Sequence, residues 1–151
     1  LSILIPIYNY DVTKLVAELA INVAYQPGNP SVFGVSYLEF KENIGRSKIR
    51  NKLGYNAMYA HLLFLDCDSS IPSKKFIKRY IGALSDHQVL YGGTKYKKKP
   101  PRSLKKRLHW KYGISREALP PKKRQKRGHL AFRSNNFMIQ RSLFLETGFD
   151  E

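Results

Sequence analysis

Residues 61–66, HLLFLD, set four large apolar side chains in a row directly before a carboxylate. Side chains of an extended strand alternate between faces, so Leu62 and Phe64 need one apolar surface to pack on and Leu63 and Leu65 need another. A chain holding such a run is expected to cover a sheet on both sides. SILIP at residues 2–6, β-branched and closed by proline, reads as a second strand of the kind found in parallel sheets.

Helical spacing fills the gaps between such runs. Val12, Leu15, Val16, Leu19, Ala20 and Val23 fall on one helical face, with Asp11 or Thr13 available as the amino-terminal cap, and QPGNP at residues 26–30 ends the pattern. VFGVSYLEF (32–40) is strand-like. ENIGRSKIRNKLGYNAMYA (42–60) predicts a loop and a helix, with Ile49, Leu53 and Ala57 on one face. Phe76, Ile77, Tyr80, Ile81 and Leu84 predict another helix, and QVLYGGT (88–94) a strand ending in a glycine turn. LAFRSNNFMIQ (130–140) resumes strand character, and RSLFLETG (141–148) predicts a short helix stopped by Gly148. The alternation implies an α/β three-layer sandwich with a mostly parallel sheet.

The 151 residues suit a single domain, 1–151, able to bury roughly 70% of its unfolded surface. A first residue that is Leu1, and a last stretch GFDE, suggest a portion of a longer protein. No apolar run reaches the ~20 residues of a membrane helix, and LSILIPIYN lacks the basic lead of a signal peptide. A soluble, cytoplasmic domain is expected. The single cysteine, Cys67, excludes a disulfide within these residues and suits a reducing compartment.

The formal charge of +16 calls for an anionic partner, and its distribution says more. Between Lys95 and Arg127 stand fifteen of the 27 Lys and Arg residues against one acid, Glu117. Paired prolines at 100–101 and 120–121 make this basic insertion, about residues 95–128, read mostly as loop, with room for a short helix over 103–113. It suits an anionic membrane surface, at the inner face of which the domain would sit peripherally, or an acidic acceptor. Tyr96, Trp110 and Tyr112 interleaved with cations also fit a nucleic-acid-binding module, but no nucleic-acid motif is spelled out. His109 reads as a surface histidine.

The carboxylates carry the strongest chemical signal. Ligands of open α/β sheets sit outside the carboxyl ends of the strands, where Asp66 falls. If the chain stays extended, Asp68 points to the same side as Asp66 and Cys67 to the other. Two carboxylates ~4 Å apart repel by about 4 kcal/mol at an effective dielectric of ~20, which favours a hard cation, magnesium or manganese, shared with substrate phosphates. Two solvated aspartates capping a turn are the competing reading.

Four segments in fixed order, SILIPIYNY, ENIGRSKIRNKL, LLFLDCDSSIP and SNNFMIQRSLFLETGFDE, resemble the inverting family 2 glycosyltransferases of the GT-A fold. The resemblance spans nearly the whole chain; each motif is weak alone. It implies that Pro6, Tyr8 and Asn9 lie against the base and ribose of a nucleotide-sugar donor, although Tyr8 equally reads as a core tyrosine. It further implies that Asn43, Gly45, Arg46 and Arg50 wall the diphosphate, although Arg50 equally reads as a helix-surface cation. Asp66 would hold the ribose or reach the metal through water, and Asp68 would ligate the metal. Asn135, Asn136 and Asp150 would stand on the acceptor side, with turn and strand-end roles open for both asparagines; apart from the resemblance, Trp110, in an aromatic cluster inside the basic loop, is expected to pack an acceptor or fold over the donor. The implied reaction is metal-dependent transfer of a sugar, with a UDP-sugar expected, to a hydroxyl of a glycan or lipid-linked acceptor with inversion.

Two departures qualify the resemblance. The aspartate-rich turn that contacts the base in this family has no counterpart between residues 24 and 40. The general base, an E-D pair in the family, is expected beyond Glu151, so residues 1–151 alone are expected to bind donor but transfer poorly. A sugar nucleotidyltransferase, the alternative within the fold, would show a glycine- and arginine-rich loop where this chain has PIYNYDV.

Overall fold

The computed structural model describes residues 1–24, 36–85 and 87–151. Among these residues the sheet has four strands: β1 (Ser2–Leu4), β2 (His61–Leu65), β3 (Val89–Tyr91) and β4 (Asn136–Gln140), in the order β1-β2-β4-β3. β1 and β2 are parallel, whereas β4 runs antiparallel to both β2 and β3. The chain is therefore an α/β protein with a mixed, mostly antiparallel sheet, which corrects the mostly parallel sheet expected from the alternation. The reason lies in the core strand itself. Leu62, Leu63, Phe64 and Leu65 are buried on both faces, and β4 supplies the same double-sided run opposite them, with Phe64 beside Phe137 and Leu63 beside Met138. Such a run has the same composition in either direction.

Among the described residues, four α-helices flank the sheet. α1 (Thr13–Ala24) and α3 (Phe76–Ile81) cover one face, where Leu15, Leu19, Phe76, Ile77 and Tyr80 pack on Leu63, Leu65 and Met138. α2 (Arg46–Asn56) and α6 (Arg141–Thr147) cover the other, where Phe144, Ala57 and partly buried Leu53 meet Leu4, Leu62, Phe64, Phe137 and Ile139. Three layers result, as the double-sided strand requires. Asp11 Oδ1 accepts from the Thr13 amide at 2.9 Å, capping α1 as expected. The buried Asn22 side chain of α1 accepts from the Phe76 and Ile77 amides and so caps α3 in turn. Gly148, at φ 56°, closes α6 through its amide to Phe144 O.

Three local expectations are corrected. Within the expected strand at 32–40, residues 36–40 form no strand and are mostly exposed, and residues 32–35 lie outside the described residues, as does QPGNP. The strand expected from residue 130 begins only at Asn136, because residues 128–131 form a 3-10 turn. The basic insertion is mainly helical: α4 (Leu104–Tyr112) runs into a π-helical turn at Gly113–Glu117, and α5 (Pro121–Arg127) follows. Pro121 occupies the first turn of α5, where its missing amide hydrogen costs no hydrogen bond. No helix among the described residues is long and apolar enough to cross a membrane.

Candidate functional site

The topology gathers one edge of the sheet. Because β1 and β2 are parallel, their carboxyl ends lie together, which brings residues 6–9 beside residues 66–68. Because β4 opposes β2, its amino end arrives at the same edge, with Asn136 paired to Leu65 and Asn135 O accepting from the Asp66 amide at 3.0 Å. A cleft of about 930 Å³ opens here. Its lining includes Pro6, Tyr8 and Asn9 after β1, Asn43, Gly45, Arg46 and Arg50 at the start of α2, and Asp66 and Asp68 after β2. Every residue expected on the donor and metal side thus lines one cleft, from segments far apart in sequence.

Local chemistry explains the shape of each wall. Asn43 Oδ1 accepts from the Gly45 amide at 3.0 Å, turning the chain into α2, and Gly45 takes φ 84° with open space where a β-carbon would stand. That conformation favours glycine. Asn9 also adopts a positive φ, 47°, which asparagine tolerates better than most residues. Pro6 is half-buried, while Tyr8 is exposed and no core tyrosine.

Asp66 is the hub. Its Oδ1 accepts from Arg50 Nη2 at 2.5 Å and its Oδ2 from Arg46 Nη2 at 2.9 Å. Arg50 is buried, with 3% of its side chain exposed, whereas Arg46 is 67% exposed. Arg50 also lies over the Phe149 ring, 5.5 Å from its centroid, and reaches Ser134 O at 3.5 Å. Burial pushes its guanidinium below the ordinary pKa, opposed by the Asp66 charge. The surface-cation reading of Arg50 is therefore corrected: it holds Asp66, and Arg46 is the arginine that faces solvent.

The assumption that the chain stays extended past Asp66 is also corrected. A turn forms at once, closed by the Ser69 amide on Asp66 O at 3.0 Å, so Asp66 and Asp68 do not follow strand alternation. The Asp68 side chain is exposed and is in no hydrogen bond or ion pair among the described residues. Cys67 between them has its thiol pKa raised by burial first, then by the charges of Asp68 and Asp66. No cluster of three or more acidic, histidine or cysteine ligands occurs among the described residues.

Of the acceptor-side residues, none lines this cleft. Asn136 is spent on structure, with Oδ1 accepting from the Tyr80 hydroxyl at 2.6 Å and Nδ2 donating to Gly93 O. Burial raises the Tyr80 phenol pKa accordingly. Asn135 donates to Thr94 Oγ1, and its Oδ1 is buried without a hydrogen-bond partner. Trp110 Nε1 donates to Lys97 O at 2.8 Å, inside the basic insertion. Asp150 is exposed.

Two elements of the site were not anticipated. Asn51, 3% exposed, donates through Nδ2 to Phe149 O and Glu151 Oε1 and accepts from the Phe149 amide. Its signal was present in the RN pair at 50–51. Residues 38–41 form a further wall of the cleft, and nothing in their composition marked them. No protein-family model, no curated protein and no solved structure gives a significant match to the chain.

Proposed function

We propose that this cleft binds a nucleoside-diphosphate sugar and that the protein transfers the sugar to an acceptor hydroxyl with inversion, in the manner of the family 2 glycosyltransferases of the GT-A fold. A UDP-sugar donor and a glycan or lipid-linked acceptor are the expected substrates. The observation that carries the reading is the convergence of residues 6–9, 43–50 and 66–68, each selected by sequence alone, on one cleft at the carboxyl ends of two parallel strands. Ligand sites of α/β sheets lie at that edge.

The charges favour a diphosphate accompanied by a cation. Glu39, Glu42, Asp66 and Asp68 line the cleft against Lys41, Arg46 and Arg50, and Arg50 is already committed to Asp66. A diphosphate entering unaccompanied would meet more carboxylates than uncommitted cations. Asp68, exposed and unpaired among the described residues, fits the binding mode in which magnesium or manganese takes one or two carboxylates together with substrate phosphates. Both oxygens of Asp66 are engaged, so Asp68 is the better ligand. Bound there, the metal would offset charge on the departing nucleoside diphosphate.

The protein's own residues divide the remaining work. Arg46, exposed at the rim and paired with Asp66 through one Nη2, has guanidinium N–H groups left to fit a phosphate oxygen. Arg50 fixes Asp66 from beneath and thereby the turn that carries Asp68. In the transfer, the acceptor oxygen bonds to the anomeric carbon as the bond from that carbon to the diphosphate oxygen breaks, and the hydroxyl proton passes to a carboxylate base.

Calorimetric titration with UDP, with and without manganese, tests the reading. Binding that requires manganese and is lost in a folded Asp68→Ala variant is expected. A folded wild-type chain that binds no UDP, or binds it equally well without metal and without Asp68, overturns it.

A further inference from the structure

The basic insertion presents an outward apolar stripe that the cleft does not use. Leu104, Leu108 and Tyr112 recur every four residues along α4, and they are 74%, 79% and 53% exposed. The opposite side of the helix is the one that packs. Trp110 donates to Lys97 O, His109 lies edge-on to Tyr96, and Gly113 is buried where a β-carbon would run into the Tyr96 ring. The leucines therefore face outward because the aromatic side is anchored inward.

The surroundings of the stripe are cationic. Lys105, Lys106, Arg107 and Lys111 lie on the same helix, and Glu117, the one acid in the sequence between Lys95 and Arg127, is taken by Tyr96 and Arg133. Beyond Tyr112 a hollow of about 310 Å³ is lined by Tyr112, Leu130, Arg116, Arg127 and Arg133, and Leu130 is 76% exposed. Apolar and basic groups thus continue across the insertion.

We propose that α4 docks on an anionic phospholipid bilayer, its Leu104, Leu108 and Tyr112 stripe entering the headgroup boundary while the flanking lysines and arginines meet lipid phosphates. A helix with an apolar face and a basic rim lies in the interfacial plane, held by apolar burial and by attraction to anionic lipid together. Single-stranded nucleic acid fits less well. It needs outward aromatic platforms for base stacking, whereas Trp110 is turned inward and the outward residues are mainly leucines. The proposal rests on α4 and is independent of the nucleotide cleft.

Co-sedimentation of the whole chain with phosphatidylcholine vesicles, with and without phosphatidylserine, tests it, with UDP titration run on the same samples. Binding only to vesicles containing phosphatidylserine is expected. The Leu104→Ser/Leu108→Ser variant, which changes no charge and touches exposed positions, should bind them at least about tenfold more weakly. A Lys105→Gln/Lys111→Gln variant, which removes the two lysines bordering the stripe, should also weaken binding, and both variants should keep the wild-type circular dichroism. Equal binding to neutral vesicles, no binding to either kind, a leucine variant that binds like wild type, or preference for single-stranded RNA over the vesicles would each overturn the proposal. Loss of UDP binding with retained vesicle binding would count against the cleft alone.

Discussion

Neutralising Asp66 should destabilise the fold through Arg50, and the size of the effect follows from burial. Asn is nearly isosteric with Asp, so Asp66→Asn keeps the volume and removes the charge. The exposed pair with Arg46 contributes little, on the order of 0–1 kcal/mol, because water competes for that guanidinium. The pair with Arg50 is different: the guanidinium is 3% exposed and the carboxylate 21%. Removing one partner of a buried pair costs about 3–5 kcal/mol because the other is left uncompensated. Arg50 would retain Ser134 O and the Phe149 ring, so the low end, about 3 kcal/mol, is expected. For a chain of this length that corresponds to a Tm lower by roughly 6–12 °C. Arg50→Met added to Asp66→Asn should recover part of the loss, since two apolar or neutral groups replace a stranded charge, whereas Arg46→Met alone should cost less than about 1 kcal/mol. Urea unfolding of these three variants and of the Arg50→Met single variant measures each step. A loss below about 1 kcal/mol for Asp66→Asn, or a double variant that loses the full sum of its singles, would refute the assignment of Arg50 as a buried cation held by Asp66.

Two further predictions concern protonation. Burial, then Asp68 and Asp66, hold the Cys67 thiol above its ordinary pKa, so iodoacetamide should alkylate the native chain at pH 8 more slowly than the urea-unfolded chain, and Asp68→Asn should quicken the native reaction; an unchanged or slower rate in that variant would contradict the arrangement of charges. The Tyr96 phenol is pushed up to about 12 by burial and then by its hydrogen bond to Glu117. A raised folded-state pKa contributes stability that is complete below the unfolded value of 10.0 and is lost as pH rises through about 12. The urea midpoint of wild type should therefore fall toward that of Tyr96→Phe across this interval, and a constant or widening gap would count against the Tyr96–Glu117 contact.

What the sequence made legible follows from what each residue must bury. LLFL demanded a two-faced strand and received one, and Asp66 after it had to stand at a strand end. Sheet order was not legible, because Phe137, Met138 and Ile139 are buried on both faces whichever way β4 runs. Paired prolines suggested loop in the basic insertion, yet Pro121 starts a helix, and the exposed leucines of α4 follow a period that charge counting overlooks. Arg50 was ambiguous for a related reason: a helical arginine is a surface cation unless a carboxylate from elsewhere arrives beneath it. That carboxylate lies sixteen residues on, across the cleft.

The polar inner face of α2 links the two sides of the site. Arg50 and Asn51 are consecutive and both 3% exposed, in a layer where Phe144 and Phe64 would otherwise favour apolar neighbours. Each is retained by a distant segment. Arg50 secures Asp66 and stacks on Phe149, while Asn51 exchanges hydrogen bonds with the Phe149 backbone and holds the Glu151 carboxylate at 3.0 Å. Phe149 is thus clamped by both residues, and its ring in turn packs on Phe64 and Phe137 of the central strands. The turn carrying Asp68 and the acidic stretch at 150–151 are consequently referenced to the same helical turn. A shift of α2 would move both together, so the spacing between the proposed donor side and these acids is set by one short polar seam in place of two independent loops.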